Sequence, residues 1–511
     1  MTDAAALPFQ LPTDVAPERP ISFVTVWFSD ELEHNLMASP DVSNPLNELI
    51  VVDNRMNLFH PTLSAALMNG ISRARHNLVA LVHEDVLLVP GWQARFEASL
   101  TALEHRDPRW GMLGAVGWDA ENRLTGHFSD PARREGRNTL EGRAYAPVER
   151  LDEQLLVLRR KSGVLPDRQL PSIHNLGRDL AFRLQQEDRA TYALDAPTIH
   201  KWRDAGGMPI TRPKDSPKIN GRRTRDYLAD KAISDSWIAN RLGTPFRDPD
   251  DRTPSLPEPG QLDILRRPVI FVGRGGGGTR LVSTMAEDCG MFLGTERRPS
   301  GDTQEMVSAI YRTLLRRWRY TDGWSRRQNR LDLTKSATAM LAQAGWPGFW
   351  GFKLPESSLI LPELDTAFPD ALWVEFHRDP TGTVFRRSHM SARLDNHIGR
   401  TALPAAYDHV GRPRDHILTD SELIRMGVST RHQLDLIAHH RRWIAPHRWL
   451  RLGFEETLAA PRDALDRLAG FLGVRPVSSH ITGTADPERG ATDLSQFPDA
   501  EVKKVLDLLK T

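Results

Sequence analysis

The sequence predicts an α/β protein built from two domains, and three features carry that expectation. Short apolar runs rich in Val, Ile, Leu and aromatic residues recur along the chain, separated by amphipathic stretches of helical period. One run, Val269 to Val272, leads straight into a glycine-rich loop (Gly273, then Gly275 to Gly278) and a helix opened by Thr279. A strand, a glycine loop and a helix N-terminus together present bare backbone N–H groups to an anion. Third, Gly243 to Gln261 carries five Pro residues and many charges and reads as a semi-rigid linker. The expected bounds are 19–245 for the first domain, 246–262 for the linker and 263–511 for the second.

Composition narrows the function classes. The chain has 511 residues with 67 basic and 66 acidic side chains, a net charge of +1, which argues against a partner held by bulk charge, nucleic acid above all. The single cysteine, Cys289, excludes an internal disulfide and a Cys zinc cluster, and suits a reducing, cytoplasmic setting. No apolar run approaches the ~18 residues of a membrane span, and the first residues lack the basic and apolar regions of a signal peptide.

In chain order, residues 1–18 are rich in Pro and Ala and read as a loose arm. Ile21 to Phe28 and Leu49 to Val52 read as strands, the second ending at Asp53. From Pro61 a helix places Leu63, Leu67, Ile71 and Ala74 on one face. Leu78 to Val82 is a third strand, ending in His83-Glu84-Asp85. Alternation of strands and helices predicts a largely parallel sheet in each half, with ligands at strand C-termini, where Asp53 and Asp85 fall. An acid just past a buried strand can hold a divalent ion against a diphosphate. Further on, Leu151 to Arg159 and Thr191 to Leu194 read as strands, and Asp226 to Leu242 as a closing helix. In the second half Thr303 to Tyr320 and Leu331 to Gln343 read as helices, with Arg312, Arg316, Arg317 and Arg319 expected on a solvated face. Ala371 to His377 and the stretch from Trp449 are strands, and Pro461 opens a helix ending Phe471-Leu472-Gly473.

The glycine loop is not a Walker A loop. Gly273 and Gly278 have its separation, but Thr279 stands where the Lys belongs and Arg280 where the metal-holding hydroxyl belongs, so a metal-free phosphate ligand fits better than Mg-NTP. The stretch resembles the 5′-phosphosulfate loop of sulfotransferases, which bind 3′-phosphoadenosine 5′-phosphosulfate (PAPS). The family loop is G-x-x-[RK]-S-G-T-T. Here Gly276 replaces the basic residue, Gly277 the Ser and Arg280 the second Thr, and Arg280 would supply the missing charge. The resemblance makes Arg274, Gly275, Gly276, Gly277, Gly278, Thr279 and Arg280 donor contacts.

It extends further. Trp350-Gly351-Phe352-Lys353-Leu354-Pro355-Glu356 is similar to the family segment whose Lys reaches the bridging oxygen of the phosphosulfate, where a fixed ammonium would stabilise the charge growing as sulfuryl leaves. Glu356, three residues on, is a candidate general base or a helix-start surface acid. Arg378-Asp379-Pro380 after a strand resembles the 3′-phosphate site. There an Arg and a Ser eight residues later bind the phosphate; Arg378 matches, Arg386 stands at the Ser position, and Ser388 is the nearest Ser. The strand, Glu455-Glu456, Pro461 and Phe471-Leu472-Gly473 complete the family's order. The resemblance implies a P-loop-like sulfotransferase fold.

In the first half, NLVALVHEDVLLVPGW resembles the metal-motif region of glycosyltransferases with the A-type nucleotide-sugar (GT-A) fold, closest to a family-2-like group reading His-x-Asp-Val. On that resemblance Asp85 is a metal or donor-diphosphate contact, Glu84 an auxiliary one and Asp53 a nucleoside contact, while His83 stands where an Asp is usual. Asp179, in Ile173-His174-Asn175-Leu176-Gly177-Arg178-Asp179, matches the catalytic base; the other reading is an acid stabilising a first helical turn. His200, closing Thr198-Ile199-His200, is a third metal ligand in some such enzymes or a structural His. The two resemblances imply a bifunctional glycosyltransferase and sulfotransferase. It would use a nucleotide sugar, a divalent metal (Mn²⁺ or Mg²⁺) and PAPS on a glycan or glycoconjugate, meeting a lipid-linked acceptor peripherally. Two rivals stay open: a carbohydrate sulfotransferase whose first half is a degenerate sugar-binding module, and a second half that is a P-loop NTPase.

Overall fold

The computed structural model describes residues 7–131, 135–171, 174–210, 221–244, 257–296, 300–319, 323–386, 389–484 and 494–510. The chain divides into two compact units, Met1–Asp248 and Pro249–Thr511. Both are mixed α/β.

In the first unit the strands are β1 (Ile21–Trp27), β2 (Glu48–Asp53), β3 (Leu78–Val82), β4 (Val86–Leu88), β5 (Met112–Gly114), β6 (Val116–Trp118), β7 (Leu124–Asp130), β8 (Glu135–Asn138), β9 (Tyr145–Val148), β10 (Arg150–Leu151), β11 (Leu155–Arg159), β12 (Thr191–Leu194) and β13 (Thr198–His200). The main sheet has the order β2-β1-β3-β11-β5-β12-β9, and a second sheet runs β10-β6-β7-β13-β4 with β8 on β7. β1 is parallel to β2 and β3, as expected, but β11 is antiparallel to both β3 and β5, so this sheet is mixed rather than largely parallel. Between β3 and β11 the chain alternates between the sheets, giving β4 to the second, β5 to the first, β6 to β8 to the second, β9 to the first and β10 to the second. The expected strand Leu151 to Arg159 is accordingly split, with Asp152 to Gln154 turning between β10 and β11.

The helix Leu63–Arg73 starts at Thr62, whose side chain accepts a bond from the Ala65 amide at 2.9 Å, and buries Leu63, Leu67 and Ile71. It lies so close to β1 that a Cβ on Gly70 would come within 2.4 Å of Val24 Cγ1. The arm is not loose over its described part: Leu7, Phe9 and Leu11 pack on Leu87, Val89 and Ile199, and Phe9 meets the His127 ring edge-on at 4.7 Å. Their alternate spacing puts all three on one side of an extended chain. The closing helix begins at Gly221 and ends at Leu242. Residues 245–256 of the expected linker lie outside the described residues. Its last part is helical, Pro259–Arg266, with Glu258 and Gln261 forming a capping box.

The second unit holds β14 (Val269–Val272), β15 (Gly351–Lys353), β16 (Leu372–His377) and β17 (Trp449–Gly453), in the order β15-β14-β16-β17 and parallel throughout. Alternate residues of β14 feed two cores. Val269 and Phe271 pack with Val282, Met285 and Ala286 of the helix Thr279–Asp288, whereas Ile270 and Val272 pack with Ile310, Leu314 and Leu333 of the helices Val307–Arg319 and Gly323–Gln343. Of the arginines expected in solvent, Arg312, Arg316 and Arg317 instead form ion pairs, and the Arg319 side chain lies outside the described ones. Arg316 is 2% exposed and bonds Asp332 at 2.7 Å; Arg312 approaches the same carboxylate at 3.5 Å, and Arg317 bonds Glu363 at 2.9 Å. A buried guanidinium needs such partners. Among the described residues no helix is long and apolar enough to cross a membrane.

Candidate functional sites

In the first unit the C-terminal ends of β3 and β13 converge. Asp85, 3% exposed, sits two residues past His83 on the turn after β3, and His200 closes β13. His200 Nε2 lies 3.3 Å from Asp85 Oδ1, and His83 Nδ1 lies 3.9 Å from the same oxygen. One ligand atom from each of the three falls within 4.8 Å of the others. Asp130, ending β7, meets His200 Nδ1 at 3.1 Å. Burial disfavours a charged His200, but Asp85 and Asp130 outweigh it and hold its pKa above the ordinary value, so the site favours positive charge. The donor set, two imidazoles and a carboxylate, suits a divalent ion.

Glu84 is engaged differently from its neighbour. Its carboxyl accepts from the Phe28 amide at 2.7 Å, the Ser29 amide at 3.1 Å and the Ser29 hydroxyl at 2.8 Å, tying the end of β3 to the end of β1. Burial pushes it up to about 7 despite those bonds. Asp53 clamps Arg55, with contacts of 2.7 to 3.2 Å, and the Arg55 guanidinium lies 4.2 Å from the centre of the Trp27 ring. Burial raises the Asp53 carboxyl, but the Arg55 bonds prevail and hold it below its ordinary value.

Asp179 lies in the first turn of the helix Leu176–Gln185 and is 0% exposed. Arg183 Nη2 bonds it at 2.8 Å and Arg241 Nε approaches at 3.3 Å, so two guanidiniums enclose it. A different carboxyl faces the cleft. A cavity of about 60 Å³ has an apolar wall that includes Phe28, Leu63 and Leu176, and is lined by His83, Glu84, Asp85 and Glu153. Burial, then the charge of Asp152, push the Glu153 carboxyl up to about 8, against the pull of the Gly177 and Asn175 amides.

In the second unit the loop between β14 and the helix Thr279–Asp288 is closed on three sides. A Cβ on Gly273 would lie 2.4 Å from the Phe376 carbonyl oxygen, one on Gly275 1.8 Å from His389 Nε2, and one on Gly278 2.1 Å from the Phe454 ring. Gly276 and Gly278 have φ of +91° and +82°, values that favour glycine. Arg274 turns inward: at 3% exposure it donates to Thr430 Oγ1 at 3.1 Å and to the Gly275 carbonyl at 3.1 Å, and burial pushes its pKa down to about 9. Arg280 is exposed on the first helical turn.

Lys353 ends β15 and is 1% exposed; its ammonium donates to Asp302 Oδ1 at 2.6 Å and to the Ser300 carbonyl at 2.7 Å. Burial lowers its pKa, against the attraction of Asp302 and Glu356. Glu356 is no surface acid. It is 2% exposed, burial pushes it up to about 7, and His389 Nε2 lies 3.5 Å from its Oε1. His389 Nδ1 meets Ser391 Oγ at 3.0 Å, which joins Ser429 at 2.9 Å and Gln433 at 2.9 Å. Arg378, 4% exposed at the end of β16, has its guanidinium 4.4 Å from the centre of the Phe454 ring. Burial, then repulsion from exposed Arg386, lowers its pKa, so the two cations stand near each other. Ser388 lies outside the described residues.

Residues 284–478 match the sulfotransferase family model. The matched family is one of transferases. The sulfotransferase-family segment contains Lys353, Glu356, Arg378, Arg386 and His389, while the glycine loop lies just ahead of it. A curated relative, described as ATP synthase subunits region ORF 6 of Fuscovulum blasticum, is 32% identical over 155 residues, 29% of this chain; the chain spans 60% of that protein's length. Similar solved structures include three of low identity. A sulfotransferase domain from the curacin biosynthetic pathway is 13% identical, covers 48% of this chain and 97% of its own, and has a TM-score of 0.30. A sulfotransferase from Mycobacterium avium is 14% identical, with coverages of 58% and 86% and a TM-score of 0.33. A mannosyltransferase from Pyrobaculum calidifontis, in complex with GDP-Man and Mn²⁺, is 13% identical, with coverages of 70% and 84% and a TM-score of 0.27.

Five groups were not visible as site residues in the sequence. His83 reads there as a missing acid, and Asp130, Glu153 and Asp302 stand in no motif. His389 follows Ser388 directly, and that adjacency was the one available signal.

Proposed function

We propose that the chain is a bifunctional transferase, with a GT-A-like glycosyltransferase in the first unit and a PAPS-dependent sulfotransferase of P-loop-like fold in the second. The supporting observation is that Lys353 and Glu356, read from one stretch of the sulfotransferase-family segment, and Arg378, read from another, sit buried at or just beyond the C-terminal ends of β15 and β16, the two parallel strands that flank β14 and its glycine loop.

In the sulfuryl transfer the acceptor hydroxyl oxygen attacks sulfur and the bond from sulfur to the bridging oxygen breaks. Glu356, steadied by His389, takes the hydroxyl proton, and the charge left on the bridging oxygen of adenosine 3′,5′-bisphosphate (PAP) is stabilised by Lys353. Arg378 and Arg386 hold the 3′-phosphate, and the loop amides with Arg280 hold the 5′-phosphate. Arg274, turned inward, braces the loop. In the sugar transfer the acceptor oxygen attacks the anomeric carbon, the bond to the diphosphate breaks, and a carboxylate takes the proton. Asp179 and Glu153 are the candidates, and geometry favours Glu153, which faces the cavity. A divalent ion held by Asp85 and His200 would bind the donor diphosphate and offset its charge. Asp53 would meet the nucleoside once Arg55 leaves Trp27, and Glu84 shapes the turn that carries Asp85.

The test is mass spectrometry of glycan and glycoconjugate acceptors incubated with nucleotide sugars and PAPS. Mass steps of one sugar and one sulfate are expected; no sulfate step with any acceptor counts against the reading. Calorimetry should show PAP binding without Mg²⁺, and tighter binding of Mg-ATP would favour an NTPase. A second reading, a carbohydrate sulfotransferase with a degenerate sugar-binding module, is favoured by the enclosed Asp179. Donor hydrolysis with Mn²⁺, abolished by Asp85→Ala, would exclude it.

A further inference from the structure

We infer that His83 is a third protein ligand of the cation site in the first unit, and that it makes the site select a transition ion of the Mn²⁺, Co²⁺ or Zn²⁺ kind over Mg²⁺. This rests on the metal part of the reading above and narrows it. Two imidazole nitrogens approach one carboxylate oxygen, His200 Nε2 at 3.3 Å and His83 Nδ1 at 3.9 Å from Asp85 Oδ1. Ligand atoms bound at about 2.0–2.2 Å around one ion stand roughly 3–4.4 Å from each other, and the three here fall within 4.8 Å. Small side-chain adjustments therefore suffice to close the set on an ion.

The site is also prepared for a cation rather than for a bare hydrogen bond. Asp130 meets His200 Nδ1 at 3.1 Å, which holds the ring with Nε2 facing Asp85. Asp85 is 3% exposed, and the side chains of His83 and His200 are 24% and 14% exposed, so the set lies in a wall with an open side. Three protein ligands leave positions for the oxygens of a diphosphate. Mg²⁺ demands oxygen donors in near-ideal octahedral array and keeps its waters, whereas imidazole suits transition ions. A carboxylate at position 83 would make the turn serve Mg²⁺ better; the His tilts it the other way.

The experiment uses the full chain stripped by chelator and titrated calorimetrically with MnCl₂, CoCl₂, ZnCl₂ or MgCl₂, without nucleotide. Binding of the transition ions at least about 100-fold tighter than Mg²⁺ is expected. Pulsed electron paramagnetic resonance of the Mn²⁺ form should show coupling to two imidazole nitrogens. His83→Ala should weaken Mn²⁺ binding by about 10- to 100-fold and remove one coupling; His83→Asp should remove the same coupling while raising Mg²⁺ affinity. Circular dichroism melts check that both variants fold. Mg²⁺ binding within a few-fold of Mn²⁺, or His83→Ala with unchanged Mn²⁺ affinity and two couplings, overturns the inference. Nucleotide-sugar binding supported equally by Mg²⁺ would end the ion preference and leave the glycosyltransferase reading standing. Tight Mn²⁺ with no donor binding would do the reverse.

Discussion

Replacing Lys353 by Met is the sharpest test of the sulfuryl-transfer site. Met keeps most of the stem that packs at 1% exposure and deletes only the ammonium. If that ammonium stabilises charge on the bridging oxygen, its loss should lower kcat by about 10²–10³-fold, or about 3–4 kcal/mol of barrier. PAP carries no sulfuryl group, so its Kd should stay within about threefold while Arg378 and the loop hold its phosphates. Stability must be separated from chemistry, because Lys353 bonds Asp302 at 2.6 Å and Asp302 is only 14% exposed. Stranding that carboxylate costs up to about 3 kcal/mol. Asp302→Asn added to Lys353→Met should therefore restore the melting temperature without restoring turnover. The assay is single-turnover sulfate transfer with calorimetry of PAP. Turnover within about tenfold of the parent, or turnover rescued by Asp302→Asn, would remove Lys353 from the chemistry.

Four further outcomes follow from the same geometry. Arg378→Gln should weaken PAP binding by about 10²-fold in metal-free calorimetry, and Arg386→Gln, at an exposed position, by much less. Gly275→Ala puts a Cβ 1.8 Å from His389 Nε2, so the ring must move; PAP binding and the pH profile of transfer should both change, whereas a change in melting temperature alone would deny His389 a role in the site. Burial raises the Glu356 carboxyl from 4.5 to about 7, so the folded chain keeps a proton that the unfolded chain releases. Unfolding free energy should fall by up to about 3 kcal/mol between pH 4.5 and pH 7, and Glu356→Gln should remove that slope in denaturant titrations across pH. Glu153→Gln should lower sugar transfer by about 10²–10⁴-fold with Mn²⁺ affinity retained, whereas Asp179→Asn should chiefly lower the melting temperature; the opposite pattern would return the base to Asp179.

What the sequence made legible is what the backbone fixes locally. β14 was evident from four apolar residues followed by a glycine loop, and its alternation into two cores follows from a period of two. Leu63, Leu67 and Ile71 announced their helix by spacing, and Asp85 was read from its place just past a strand, where an α/β sheet presents ligands, whereas Lys353 and Arg378 were read from the resemblance of their segments to sulfotransferases. Strand direction was not legible, since a buried apolar run reads the same whether it lies parallel, as β1 does with β3, or antiparallel, as β11 does. Nor were partners from afar. The helical period around Arg316 gives no sign of Asp332, which lies 16 residues on in the next helix, and nothing near His200 names Asp130, 70 residues earlier on a neighbouring strand.

That division has a chemical consequence. On the proposed reading strand ends set where an ion or a phosphate would sit, but the groups that meet the site residues come from turns and neighbouring elements: Asp302 on Lys353, His389 on Glu356, Asp130 on His200. In each case a buried charged or titratable group at a strand end, or just past one, meets a partner with no motif of its own. Such a group either loses its charge or keeps a counter-group. The partner must therefore exist wherever the fold supplies it, and its place in the sequence is free. A motif can point to the groups, while the burial and the counter-groups that shift their pKa values come from segments that only the folded chain brings together.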